Sequence, residues 1–188
     1  MPDTSWHEEV GRRVVTPQII VAALLAGCLI FLVVVVTLVQ LGKTEPDRGL
    51  AWAMNLVLVV FLIADMIARA IVPGMVVARG RQQIAAGAWG RMEGSGQQQT
   101  AEFLEFIERT GDAGRLLGLY TSRTIIAAAI LEGLAFFAII AYLLTQSLLA
   151  LAVAILLVAA LAFHIPTRSG VLHWIEDQLQ LIDQERRS

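Results

Sequence analysis

The sequence is poor in charge, in cysteine and in lysine. Charged residues make up 16% of its 188 residues, whereas soluble domains contain roughly 25%. Hydrophobic residues make up 57%, and the mean hydropathy is +0.70, which excludes an ordinary soluble enzyme and a disordered tail. The formal net charge of -2 provides no basic surface for DNA or RNA, so no nucleic-acid partner is expected.

The lone cysteine and the scattered histidines exclude most site chemistry. Cys28 is the only cysteine, so it cannot form an internal disulfide or, alone, a cysteine-based zinc site. His7, His164 and His173 lack metal-ligand spacing, and no nucleophile–base motif accompanies them. We therefore expect no catalytic residue, no cofactor and no metal, and the sequence favours a protein that is not an enzyme.

Long apolar segments account for the missing charge. Four of them approach or exceed the roughly 20 helical residues that cross a bilayer, and they cover residues 18–41, 50–72, 124–144 and 147–165. Lipid offers no partner to backbone N–H and C=O groups, so each spanning segment is expected to be a helix. The sequence predicts an all-α integral membrane protein, a four-helix bundle of two hairpins (18–72 and 124–165) surrounded by the lipid bilayer.

The basic residues predict the orientation of these spans. With four crossings, both termini and the middle segment share one side. That side carries Arg12, Arg13, Arg69, Arg79, Arg81, Arg91, Arg109, Arg115, Arg123, Arg168, Arg186 and Arg187. The other side carries only Lys43 and Arg48. Cytoplasmic loops are rich in Lys and Arg, which predicts a multi-pass protein of the cell inner (cytoplasmic) membrane with both termini in the cytoplasm.

Three cytoplasmic segments flank the spans. Residues 1–17 favour an interfacial helix leading into the membrane, with a frayed terminus as the alternative. Residues 73–123 form the middle loop and contain a predicted amphipathic helix at 100–110, which either packs on the protein itself or docks a partner. Residues 166–188 predict an amphipathic C-terminal helix. Its apolar face is Leu172, Ile175, Leu179 and Ile182, suited to the protein's own surface or, alternatively, to a coiled coil.

The first and third spans resemble each other when they are aligned with a shift of 106 positions. Nine of 23 aligned residues are identical, which suggests a parallel internal repeat of the two hairpins. Within the match, Ala23 and Gly27 correspond to Ala129 and Gly133. Small residues four apart allow two helix backbones to approach closely, so these four residues are the predicted helix-packing positions.

Charged residues within the spans are the main functional candidates. Such residues usually face the interior of the protein and take part in function. Glu132 falls at membrane depth in the third span and is the candidate proton- or ion-binding residue. Asp65 and Arg69, one turn apart in the second span, predict a self-neutralised intramembrane pair, and a cluster that joins them to Glu132 is the alternative. Asn55 is expected to form an interhelical hydrogen bond.

The residues around Glu132 resemble a known family. The stretch RTIIAAAILEGLAFFAIIAYLLTQ, residues 123–146, resembles the carboxylate-bearing helix of the rotary ATP synthase proteolipid, or c subunit. In that family, an arginine-containing polar loop leads into an apolar helix that carries Glu or Asp. The resemblance implies that Glu132 is protonated reversibly and that the chain assembles into a ring. Gly133 follows where sodium-binding members tend to have a hydroxyl residue, which implies protons as the ion.

Three functions compete on this sequence. The favoured interpretation is a non-catalytic structural or accessory subunit of a larger membrane protein assembly, whose partners are other membrane subunits or further copies of the chain. The first alternative is a proteolipid-like oligomeric ring subunit that carries protons through Glu132. The second is a small transporter or channel. The sequence does not identify the partner complex or any transported species.

Overall fold

The computed structural model describes residues 5–43, 46–89 and 101–187. Every regular element in these ranges is helical, which confirms the all-α class for this part of the chain. The helices are α1 (Ser5–Arg13), α2 (Val15–Gln40), α3 (Arg48–Ala85), α4 (Ala101–Thr110), α5 (Asp112–Thr145), α6 (Leu148–Phe163) and α7 (Arg168–Glu185). Parts of the predicted cytoplasmic segments, including Arg91 and Thr100, lie outside the described residues.

The chain divides into two compact units, each built from segments distant in sequence. The apolar unit consists of residues 19–72 and 125–165, and the amphipathic unit consists of residues 1–18, 73–124 and 166–188. The long helices α3 and α5 contribute to both units, because the polar residues that follow or precede their apolar segments continue the helix.

Helix α5 provides most of the core of the apolar unit. In the most apolar stretch of 18 residues in α5, half of the stretch is buried. In the corresponding stretches of 18 residues that include α2 and α3, only 17% is buried. The buried core comprises Val21, Cys28 and Val35 of α2, Leu58 of α3, Ala128, Leu131, Ala135, Ala138 and Ile139 of α5, and Ala150, Ala154, Leu157 and Leu161 of α6. Helix α3 therefore packs at the edge, and most of its large apolar side chains remain exposed.

Three helical stretches are long and apolar enough to cross a membrane: Trp6–Gln40, Gly49–Ala85 and Asp112–Thr145. The number rises to four if α6 and α7 are counted together as one broken span. Helix α6 alone has 16 residues, about 24 Å of helix at 1.5 Å per residue. The fourth predicted span, 147–165, is therefore the shortest of the set in the structure.

The predicted middle loop is shorter in the structure than residues 73–123. Helix α3 continues through Pro73 to Ala85, and α5 already begins at Asp112. A proline inside a helix lacks one backbone N–H, and the loss is tolerated where the surrounding structure satisfies the freed carbonyl. The helices thus extend beyond the predicted spans, because amphipathic segments continue α3 past residue 72 and begin α5 before residue 124.

A tight turn joins α5 to α6 in the apolar unit. Gln146 has a positive φ of 52°, and the hydroxyl of Ser147 donates a hydrogen bond of 3.1 Å to Oδ1 of Asn55 on α3. Asn55 therefore makes an interhelical hydrogen bond of the kind that its position in an apolar segment suggests.

The amphipathic unit has its own hydrophobic core. It contains Val10, Val14, Ile84, Phe106, Ile107, Ala113, Leu116, Leu117, Leu119, Val171, Ile175 and Ile182. Ion pairs link its helices: Arg81 reaches Glu185 at 2.8 Å, and Arg186 reaches Asp112 at 2.7 Å. Helices α4 and α7 each pack against α1 within this unit.

Candidate functional site

Asp65 is the most deeply buried acidic residue described in the apolar unit. It is 6% exposed and forms an ion pair with Arg69, one helical turn further along α3. Oδ2 of Asp65 lies against the guanidinium group, but both carboxylate oxygens and Nε of Arg69 are buried without a hydrogen-bond partner among the described residues. The pair is therefore neutral as a whole but retains unsatisfied polar atoms.

Asp65 lines a cleft between α3 and α5 with a volume of about 400 Å³. The cleft is wide because small residues border it on both helices, namely Ala64, Ala68, Ala129 and Gly133. A Cβ atom at Gly133 would meet no other atom within 4 Å. The rings of Phe61 and Phe137 also line it and meet edge to face with their centroids 5.1 Å apart. The result is an apolar groove with one carboxylate in its wall, and both oxygens of that carboxylate lack a hydrogen-bond partner among the described residues.

Glu132 lies outside this cleft. It is half-buried and close enough to Cys28 of α2 for an electrostatic interaction. One residue corresponds to a rotation of about 100° around a helix, so Glu132 and the cleft-lining Gly133 point in different directions. In the described part of the chain, Arg69 pairs with Asp65 and makes no ion pair with Glu132. The alternative three-residue charge cluster is therefore not formed.

The predicted helix-packing residues lie on open surfaces. Ala23 and Ala129 are exposed, and a Cβ atom at Gly27 or Gly133 would meet nothing within 4 Å. Neither small-residue pair brings two helices of this chain into close contact. The reason on α2 is that a different face, carrying Val21, Cys28 and Val35, is the one buried in the core.

Sequence reasoning identified Asp65 and Arg69 but missed the small residues beside them. Ala64 and Ala68 have the same four-residue spacing as Ala129 and Gly133, and they flank Asp65 directly. That spacing next to a buried acid was a usable signal. What the sequence lacked was the pairing of α3 with the Gly133 side of α5, which only the packing reveals.

Comparison of the chain with protein-family models, with curated proteins and with solved structures gives no match.

Proposed function

We propose that this protein is a non-catalytic structural or accessory subunit of a larger membrane assembly, and that its Asp65 cleft receives a membrane-spanning helix of a different subunit. The observation that carries the proposal is the open cleft itself, with small residues on both sides and a carboxylate in its wall whose oxygens lack hydrogen-bond partners among the described residues. Its apolar helices, three or up to four of which are long enough to span a bilayer, supply the membrane setting.

The chemistry of the cleft specifies its occupant. In lipid, an unsatisfied buried polar group costs several kcal/mol, so the carboxylate of Asp65 favours a neighbour that donates a hydrogen bond. Arg69 already neutralises the carboxylate, so a second cation on the occupant would be left without a counter-charge. A helix with a neutral donor such as Ser, Thr, Asn or Gln, and otherwise apolar side chains, fits both requirements.

The orientation that we propose places four spans in the cell inner membrane with the amphipathic unit in the cytoplasm. The described part of that unit carries most of the arginines, which agrees with the enrichment of basic residues in cytoplasmic segments. In this arrangement α6 is a short span, and both termini lie on the cytoplasmic side.

Photocrosslinking in cells tests the docking role. A crosslinking amino acid at Ala129, which lines the cleft, should give a covalent product with a second protein, and mass spectrometry should map it to an apolar segment with a donor side chain. The same amino acid at Ala152, an exposed alanine of α6, is the matched control and should not give that product. Crosslinks at Ala129 only to lipid, or only to further copies of this chain, would contradict the proposal.

One observation favours the proton-carrying ring as a second candidate function. Throughout residues 5–43, 46–89 and 101–187, Glu132 makes no ion pair, so no cation neutralises this carboxylate within the apolar unit. A carbodiimide reacts with a protonated carboxyl group, so labelling of Glu132 that declines as the pH rises, together with a symmetric ring of many copies, would support this candidate. Unchanged activity of the parent assembly in Glu132→Gln would exclude it.

A further inference from the structure

A second cavity lies in the amphipathic unit, between α1 and α4. Its volume is about 310 Å³, and it is lined by Glu9, Arg12, Arg13, Phe106 and Arg109. Three guanidinium groups thus share one cavity with a single carboxylate. Neither the docking cleft nor Glu132 takes part in it, since both belong to the apolar unit.

Two contacts between α1 and α4 hold the cavity in shape. Arg109 on α4 reaches Glu9 on α1 at 3.3 Å, and the guanidinium carbon of Arg13 on α1 lies 4.5 Å from the centroid of the Phe106 ring on α4. Stacking on an aromatic face leaves the edge N–H groups of an arginine free to donate. The walls of the cavity are therefore fixed before any ligand enters.

The charges of the cavity are unbalanced. Glu9 neutralises one of the three positive charges through its ion pair with Arg109. In the part of the chain that the structure describes, Arg12 and Arg13 have no acidic partner within 4 Å. Two positive charges in one small cavity attract an anion, and the fork of N–H donors on each guanidinium matches phosphate oxygens.

We infer that this cavity binds a phosphate group. Its position in the chain indicates the source: α1 ends at Arg13, α2 begins at Val15, and the apolar segment starts within one further turn. A basic pocket that close to the beginning of a membrane-spanning helix lies where the headgroups of anionic phospholipids are found. A soluble phosphate compound would use the same donors, and the two sources differ in how they reach the site. The inference does not depend on the docking cleft.

Binding to the full-length protein in detergent tests the inference with two probes. Native mass spectrometry with added phosphatidylglycerol or phosphatidylcholine reports lipid retention, and calorimetry with inorganic phosphate in lipid-free micelles reports free phosphate. Arg12→Gln is the main variant because Arg12 is exposed and its loss should not disturb folding. The matched control is Arg79→Gln, which removes an exposed arginine outside the cavity.

The inference predicts preferential retention of phosphatidylglycerol, weakened about fivefold by Arg12→Gln, since a basic residue near an anionic surface contributes about that factor. The double variant Arg12→Gln, Arg13→Gln should lose more, and Arg79→Gln should bind like the wild type. Phosphate binding in lipid-free micelles with the same dependence on Arg12 supports the site with a soluble ligand as its source. Absence of binding by both probes, or an equal loss in Arg79→Gln, overturns the inference.

Discussion

Gly80 of α3 lies directly against the buried side chain of Leu119 on α5, so closely that a Cβ atom at residue 80 would overlap both methyl carbons of the leucine. Gly74, six residues earlier on the same helix, has no atom within 4 Å of such a Cβ. Substitution of these two glycines by alanine therefore distinguishes two effects in the amphipathic unit. Alanine at residue 74 only favours the helix, whereas alanine at residue 80 also overlaps a packed side chain.

Replacing Gly80 by alanine should destabilise the protein. Overpacking in a close-packed core costs about 1–3 kcal/mol, and Leu119 is only 5% exposed, so it has little room to move. The gain of about 0.5–1 kcal/mol from replacing glycine within a helix offsets part of this cost. Thermal unfolding in detergent should show a lower Tm for Gly80→Ala and a slightly higher Tm for Gly74→Ala. Equal Tm values for the two variants would show that α3 and α5 do not approach this closely at residue 80.

Removal of Arg69 should destabilise the apolar unit more than removal of the whole pair. Arg69→Met leaves the carboxylate of Asp65 buried without its counter-charge, and breaking a buried pair in this way costs about 3–5 kcal/mol. The double variant Asp65→Leu, Arg69→Met leaves no unpaired charge and should recover most of that loss. Unfolding of all variants in mixed micelles measures the coupling by a double-mutant cycle, and additive losses would contradict the ion pair.

The hydrogen bond from Ser147 to Asn55 should make a small, measurable contribution. Interhelical hydrogen bonds in membrane proteins contribute about 0.6 kcal/mol on average, so Ser147→Ala should destabilise the apolar unit by roughly that amount. Thr37→Ala is the control, because the exposed hydroxyl of Thr37 bonds only to the carbonyl of Val33 in its own helix. In mixed micelles, Ser147→Ala should lower the free energy of unfolding more than Thr37→Ala does. An equal loss of stability in both variants would show that the hydrogen bond to Asn55 adds nothing.

Local patterns predicted some of the buried residues but not those fixed by distant contacts. In α4, the amphipathic pattern predicts an apolar face of Phe103, Leu104, Phe106 and Ile107. Phe106 and Ile107 are buried, Phe103 is half-buried, and Leu104 is exposed. In α7, the predicted face was Leu172, Ile175, Leu179 and Ile182. Ile175 and Ile182 are buried, whereas Leu172 and Leu179 are half-buried and their neighbours Val171 and Gln178 are buried instead. Gln178 is buried because its side-chain oxygen accepts a hydrogen bond from Arg81 on α3, at 3.3 Å. The two residues are 97 positions apart in the sequence, and no local periodicity indicates their contact.

At the candidate site, too, the local sequence indicates some features, and only the packing of distant segments determines the others. Membrane depth and charge single out Asp65, Arg69 and Glu132 from the sequence alone, because an ionisable residue in an apolar run is rare. Which face of α5 meets α3 depends on the packing of whole helices, so the separation of Glu132 from the pair could not be predicted. Hydrophobicity likewise locates an apolar segment but does not show how far an amphipathic stretch extends the helix. Helix α3 continues to Ala85, and α5 already begins at Asp112.

The short helix α6 yields the most decisive prediction about membrane topology. A span of about 24 Å is shorter than a hydrocarbon core of about 30 Å, and a bilayer adapts to such a mismatch by local thinning at a modest cost. We therefore expect α6 to cross, which places the residues before α4 and after α7 on the same side of the membrane. The sole cysteine, Cys28, is fully buried, and Cys28→Ala provides a background free of thiols for labelling.

Single cysteines at Ala86, Arg187 and Lys43 measure this topology with a membrane-impermeant maleimide. Ala86 and Arg187 are exposed positions of the amphipathic unit, and Lys43 is an exposed position between α2 and α3. If α6 crosses, Ala86→Cys and Arg187→Cys react only when the cytoplasmic face is accessible, and Lys43→Cys reacts from the opposite face. If α6 does not cross, Arg187→Cys reacts from the face opposite to Ala86→Cys. That result would leave three spans and would contradict the arrangement with both termini in the cytoplasm.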